Sequence, residues 1–289
     1  MSYHEAFPAR QTDQSDGQKI LDRLDYQRGS IKMPGAPATL NIPSNFNFLN
    51  AADARTVLVD LWGNPPRAAD NVLGMIFPSR YDPLDDHSWS SVVQYNADGY
   101  VSDKDAQTID YSELLEQLKT ATSESNSERR KQGFEPIRLA GWASPPFYDI
   151  KNHTLHWARD LIFGEGGHEA HVLNYSARIL GREGVFQFNF VAGLDQLDEI
   201  KSAIPSVTKL VTFDKNKHYE DYAEGDKVAA YGMAGMIAAG AGAKLVAKAG
   251  IAAVALGFLK KGALLVVLAA GAVMRFFQGL FSRNKTPTD

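Results

Sequence analysis

The sequence predicts an α+β domain, a largely antiparallel sheet with flanking helices, joined to a C-terminal Ala/Gly-rich membrane helical segment. Three observations carry that reading. Short apolar runs, several with period-two alternation, are separated by tight turn signals, the pattern of hairpin-linked antiparallel strands. Between them lie stretches whose apolar residues recur at helical spacing. Beyond Asp226 the chain becomes a series of uncharged runs rich in Ala and Gly. The 289 residues, 44% hydrophobic and 22% charged, have an ordinary globular composition, which rules out wholesale disorder. The absence of Cys excludes disulfide scaffolds, thiolate metal sites and cysteine nucleophiles. A formal net charge of −4 argues against general nucleic-acid binding.

The elements follow in chain order. Residues 1–30 are polar apart from a patch at Ile20, Leu21 and Leu24, and read as a mobile arm with one helical turn. Ala38–Ile42 alternates as a strand and Pro43 ends it. Asn50 is placed to cap a helix over Ala51–Trp62, with Gly63 as its stop. Leu73–Phe77, closed by Pro78, and Trp89–Tyr95 are strands, and Asn96–Gly99 is a turn. Asp110 caps a long helix whose apolar face is Leu114, Leu115 and Leu118. Beyond Thr122 that helix is wholly polar, so this half is expected in solvent or frayed before Gly133. Four strands follow at Ile137–Ala143, Thr154–Ile162, Ala170–Leu180 and Val185–Val191, with turns at Asp149–Asn152 and Gly181–Gly184. Leu194–Ala203 is an amphipathic helix and Leu210–Phe213 a last strand. No repeat of solenoid period is present.

The tail differs in charge as well as composition. From Lys227 onward eight basic residues stand against one acid, Asp289, while residues 1–226 carry the acidic excess. The uncharged runs cover 228–243, 249–259 and 262–274. None reaches the roughly 20 residues that a straight helix needs to cross the hydrocarbon. Joining the last two puts Lys260 and Lys261 near the middle, where a charge costs roughly 2.5–3.5 kcal/mol on insertion scales. The apolar flanks offset this and the long Lys stems can snorkel. Three arrangements remain open: one tilted span around 251–274, a hairpin turning at Lys260–Gly262, or an interfacial helix at 228–243 followed by one span. A soluble Ala/Gly-rich oligomerisation helix is the competing reading. Arg275, Arg283 and Lys285 after the last run place the C-terminus in the cytoplasm by the positive-inside rule. The first residues lack an apolar core, so no signal peptide is visible. The chain divides into an arm (1–30), a soluble domain (31–226), an apolar helical membrane segment (227–281) and a short basic tail (282–289).

Several short motifs recur in a particular order. They are Leu49–Arg55, Leu61–Pro66, Asp98–Asp103, Gly141–Asp149, Leu155–Ala158, Leu173–Arg182 and Ala230–Gly232. In this order they resemble the family of uncharacterised bacterial membrane-anchored proteins called domain-of-unknown-function 2167, over about residue 35 to the end of the apolar tail. The resemblance implies a bacterial envelope protein at the cell (inner) membrane, with a C-terminal membrane segment and no assigned activity. It supplies no catalytic residue.

The candidate chemistry is sparse. Gly164–His171 holds two His and two Glu, but its glycines suggest a loose hairpin loop, so no metal site is assigned. Asn96, Asp98, Ser102 and Asp105 have a faint calcium-loop spacing without flanking helices, and a hairpin turn accounts for them better. His153 and His156, three apart on a presumed strand, face opposite sides. Arg178 and Arg182, supported by Asn174, Tyr175 and Asn189, form either an anion site or pairs with the domain's own acids. Trp142, Pro145, Pro146, Phe147, Tyr148 and Trp157 form an aromatic-proline cluster, which is either core packing or a docking surface. No nucleophile elbow, phosphate loop, zincin helix or dinucleotide fingerprint is present.

The expected protein is therefore a non-enzymatic interaction domain tethered to the bilayer. Its partners would be lipid, a protein, and further copies of itself through Gly235, Gly240 and Gly242. The ligand or partner candidates are Trp142, Tyr148, Trp157, Asn174, Tyr175, Arg178 and Arg182. No catalytic residue, cofactor or metal is assigned. The alternatives are an enzyme around Arg178 and Arg182, or a laterally assembling membrane-active protein.

Overall fold

The computed structural model describes residues 14–239, except 65, 86, 87, 132, 167 and 168. Its centre is a seven-stranded antiparallel sheet. The strand order is β3 (Phe46–Asn50), β4 (Val72–Pro78), β5 (Ser90–Asn96), β9 (Val185–Gly193), β8 (Ala170–Leu180), β7 (Thr154–Phe163) and β6 (Ile137–Asp149). A smaller antiparallel sheet joins β1 (Gly29–Lys32), β2 (Ala38–Ile42) and β10 (Val211–Phe213). The helices are α1 (Gln14–Leu21), α2 (Ala51–Arg55), α3 (Tyr111–Lys131), α4 (Leu197–Thr208) and α5 (Met233–Ala239). The α+β architecture with antiparallel sheets and flanking helices agrees with the alternation in the sequence.

Alternation gives the large sheet two buried faces. On one, Phe186, Phe188 and Phe190 of β9 pack with Ile200, Ile204 and Val207 of α4 and with Leu40 and Phe213 of the small sheet. On the other, Leu155, Trp157 and Val191 pack with Leu114 and Leu118 of α3, with Val57 and Leu58 just after α2, and with Met233, Met236 and Ile237 of α5. Each such fully buried apolar side chain contributes roughly 1.5–3 kcal/mol.

Caps fix the helix starts. Asn50 Oδ1 accepts from the backbone N–H groups of Ala52 and Asp53, at 2.9 and 3.1 Å, worth about 1 kcal/mol. The helix then widens into a π-helical turn over Thr56–Leu61, and Gly63 ends it at φ 68°, a conformation that costs glycine least. Asp110 Oδ1 accepts from Ser112 and Glu113 in the same way. The polar half of α3 is neither frayed nor fully solvated. Asn126 exchanges two 2.8 Å hydrogen bonds with the backbone of Ile137, and buried Arg129 donates to Glu135 O at 2.8 Å. Side-chain amide and guanidinium groups do here what apolar packing does in the first half. β6 is longer than its alternation suggests. It passes through Pro145 and Pro146 by slipping register three times against β7, between Leu139 and Gly141, Trp142 and Ser144, and Ser144 and Phe147.

The described residues after Asp226, as far as Ala239, stay within this domain. Val228 forms a parallel bridge with Tyr100, and the Tyr231 hydroxyl donates to Asp98 at 2.9 Å. Asp105 accepts from the first N–H groups of α5, Met233 at 3.1 Å and Ala234 at 3.4 Å. Gly232 admits this approach, since a Cβ there would lie 2.6 Å from Asp105 Oδ2. Gly235 is buried on α5. Among the described residues no helix is long and apolar enough to cross a membrane. The rest of the segment expected over 227–281, with Gly240 and Gly242, lies outside the described residues, as do residues 1–13 and the tail 282–289.

Candidate functional site

The register of the large sheet brings a polar patch onto the face that also carries α5. Arg159 of β7 stands opposite Asn174 of β8, and Asn174 opposite Val191 of β9. In the next rows Trp157 faces Ser176, which faces Asn189, and Arg178 faces Gln187, which faces Gln94 of β5. Residues directly opposite in a sheet share a face. Arg159, Arg178, Asn174, Ser176 and Asn189 are all buried, with at most 4% of their surface exposed.

These groups are bonded to one another. The Arg159 guanidinium donates to Asn174 Oδ1 at 2.8 Å. Arg178 donates to Asn189 Oδ1 at 2.7 Å and to the carbonyls of Ala177 and Phe188 at 3.1 and 3.2 Å. Its guanidinium carbon also lies 4.9 Å from the centre of the Trp157 ring, a cation–π contact. Asn189 donates to Gln94 Oε1 at 3.2 Å. Burial, reinforced by the neighbouring Arg159 charge, pulls the Arg178 guanidinium down to about 9, and burial alone brings Arg159 down to about 10. Both remain cations at neutral pH. Among the described residues no carboxylate pairs with Arg178. Asn174 Nδ2, Ser176 Oγ, Trp157 Nε1 and Ser90 Oγ are buried without a hydrogen-bond partner among the described residues. The nearby acid Asp98 is taken by Tyr231, whose hydroxyl is pushed up first by burial and then by that carboxylate.

Of the residues singled out in the sequence, Trp157, Asn174 and Arg178 lie at the centre of this patch. Trp142 and Tyr148 of β6 are half-buried at its margin. Trp142 Nε1 donates to Tyr111 O at 3.2 Å, and the Tyr148 hydroxyl donates to Asp103 at 2.9 Å. Tyr175 is on the opposite face, edge-on to Phe190 at 6.0 Å. Arg182 lies beyond the end of β8 and forms a bidentate pair with Asp226 at 2.7 and 2.9 Å. That guanidinium holds the Asp226 carboxyl down at about 2. Arg178 and Arg182 therefore serve separate partners. The aromatic-proline cluster is also divided, with Trp157 in the core and Phe147 64% exposed. The residues missed were Arg159, Ser176, Ser90 and Gln94. Arg159 had a signal, since it interrupts the apolar row Leu155, Trp157, Leu161 and Phe163 along one face of β7.

A second feature is a groove of about 540 Å³ between the β6–β7 turn, α4 and β10. His153, at φ 45° in the turn before β7, and His156 both line it, with His218. His153 Nδ1 lies 3.1 Å from the Tyr148 hydroxyl and its Nε2 3.3 Å from Glu220. Burial draws the His156 imidazole down to about 4. Exposed Phe147 and Ile150 stand on the adjoining turn. Among the described residues no three His, Cys, Asp or Glu side chains are grouped to hold a metal. His171 instead pairs with Asp160 at 2.8 Å.

The fold and this patch define an α+β domain with a buried basic site on one sheet face, closed by the segment that leads into the apolar tail. The family model described as "Protein of unknown function (DUF2167)" matches residues 25–271, and the chain belongs to that family. No curated protein matches. Among solved structures, the cyanobacterial PsbP of Synechocystis is 10% identical with a TM-score of 0.33, covering 65% of this chain and 94% of its own. LpqN of Mycobacterium tuberculosis, described as involved in cell envelope biogenesis, is 16% identical with a TM-score of 0.30, covering 72% and 99%. Both likenesses are distant, and nothing is carried from either protein to this one.

Proposed function

We propose that the chain is a binding protein tethered to the bacterial inner membrane, whose α+β domain holds a partner or ligand beside the bilayer. The observation that supports it is how the tail begins. Ala229, Tyr231, Met233, Met236, Ile237 and Ala238 belong to the core on one sheet face, and the sequence beyond continues as uncharged Ala/Gly-rich runs broken only by lysines up to Met274. A tether that starts inside a folded core raises the domain's concentration at the surface without a loose linker. The exposed apolar pair Phe147 and Ile150, beside the groove, is the surface we assign to a protein partner. Self-association through Gly240 and Gly242 fits the same reading, since small residues let apolar helices approach closely. The test is fractionation of cells making the full chain, with protease accessibility of tags at both ends. The chain should sediment with membranes, resist alkaline carbonate and be released by detergent. Recovery as a folded, monodisperse protein in the detergent-free supernatant would refute the tether.

A further inference from the structure

We infer that the sheet face carrying Arg159 and Arg178 is a binding site for a compact oxyanion, a phosphate or carboxylate group seated against the two guanidinium groups. The inference stands on the sheet itself and does not depend on the tail entering a bilayer. Two cations on the neighbouring strands β7 and β8 are buried on one face, and the charge of Arg159 acts on Arg178. Arg178 is oriented by Asn189, by two carbonyls and by the Trp157 ring, and none of these carries a negative charge. A buried charge without a counter-charge is costly, and buried arginines are found paired. The same face presents donors with no partner among the described residues: Asn174 Nδ2, Ser176 Oγ, Ser90 Oγ and Trp157 Nε1.

Water could complete those hydrogen bonds, but it would leave the charge unbalanced. An oxyanion does both, because its oxygens accept from hydroxyl, amide and guanidinium groups at once. The described acids nearby are committed elsewhere, Asp98 to Tyr231, Asp103 to Tyr148 and Asp105 to α5, so none of the three is placed to balance Arg178. Tyr231 and α5 lie in the core on this face.

The experiment is thermal unfolding of the full chain in uncharged detergent with increasing inorganic phosphate or acetate. A parallel set compares nanodiscs of phosphatidylglycerol with nanodiscs of phosphatidylcholine. The midpoint should rise with anion concentration. In Arg178→Gln the apparent affinity should fall about 10-fold or more, as for loss of a charge-assisted bond. Ser176→Ala keeps both charges and removes only an unpartnered hydroxyl, so it stays folded even if Arg178→Gln does not. It should also weaken the anion effect, whereas the surface variant Lys217→Ala should not. An Arg178- and Ser176-dependent rise with inorganic phosphate or acetate identifies a free anion. The same dependence seen only with phosphatidylglycerol identifies a lipid headgroup. No rise in either set, or a rise equal in all variants, would overturn the site.

Discussion

His156 shows how burial alone sets a residue's chemistry. It lies on β7 beside Tyr175, its Nδ1 has no partner among the described residues, and desolvation outweighs the attraction of Asp149. The folded imidazole therefore titrates near 4, below the ordinary 6.5. Between those values the unfolded chain binds a proton that the folded chain does not, so stability falls as pH drops from 6.5 to 4 and levels off below. The full effect is at most about 3 kcal/mol and is reduced by residual solvent access. Denaturant unfolding across that window should show the loss, and His156→Gln should flatten it. An unchanged slope in the variant would assign it to other groups. Asp226 acts in a separate window. Its carboxyl is depressed, so the Arg182 pair is intact above the ordinary 3.8 and is lost as pH falls through about 2.

At the scale of elements, α5 depends on a side chain far away in sequence. Asp105 accepts its first two N–H groups, and Gly232 leaves the room for that contact. Asp105→Ala should cost about 1 kcal/mol, within the usual range for a lost cap. It should also speed amide hydrogen exchange at Ala234–Ile237 while leaving Leu114–Leu118 of α3 unchanged. Equal protection in both helices would show that packing, not the cap, holds α5. Most strands were legible because Ala38–Ile42 and Val185–Val191 carry plain alternation or continuous apolar runs. β1 was not, since its four residues are largely exposed and show no apolar period. β8 misleads in a more useful way. Asn174, Ser176 and Arg178 form an i, i+2, i+4 polar row, which reads as a solvated face. The structure buries it because α5 arrives from the far end of the chain. No local pattern contains that coverage, so the sequence grouped Arg178, Asn174 and Asn189 with Arg182 and Tyr175, which the structure places elsewhere.

For the whole molecule, the end of the folded unit is not where composition changes. Asp226 marks the change in charge, yet Met233, Met236 and Ile237 belong to the core. At roughly 1.5–3 kcal/mol for each buried side chain, their removal takes a large share of the 5–15 kcal/mol typical of a domain. A chain ending at Asp226 should therefore unfold at much lower denaturant concentration than one ending at Ala239. Matching midpoints would mean that α5 adds nothing to the fold. The register slips of β6 also act at this scale. β6 is one outer margin of the seven-stranded sheet, and Pro145 and Pro146 remove two amide donors from it. A margin kinked in this way offers no straight ladder for another chain to extend, which guards crowded copies against fibrous growth.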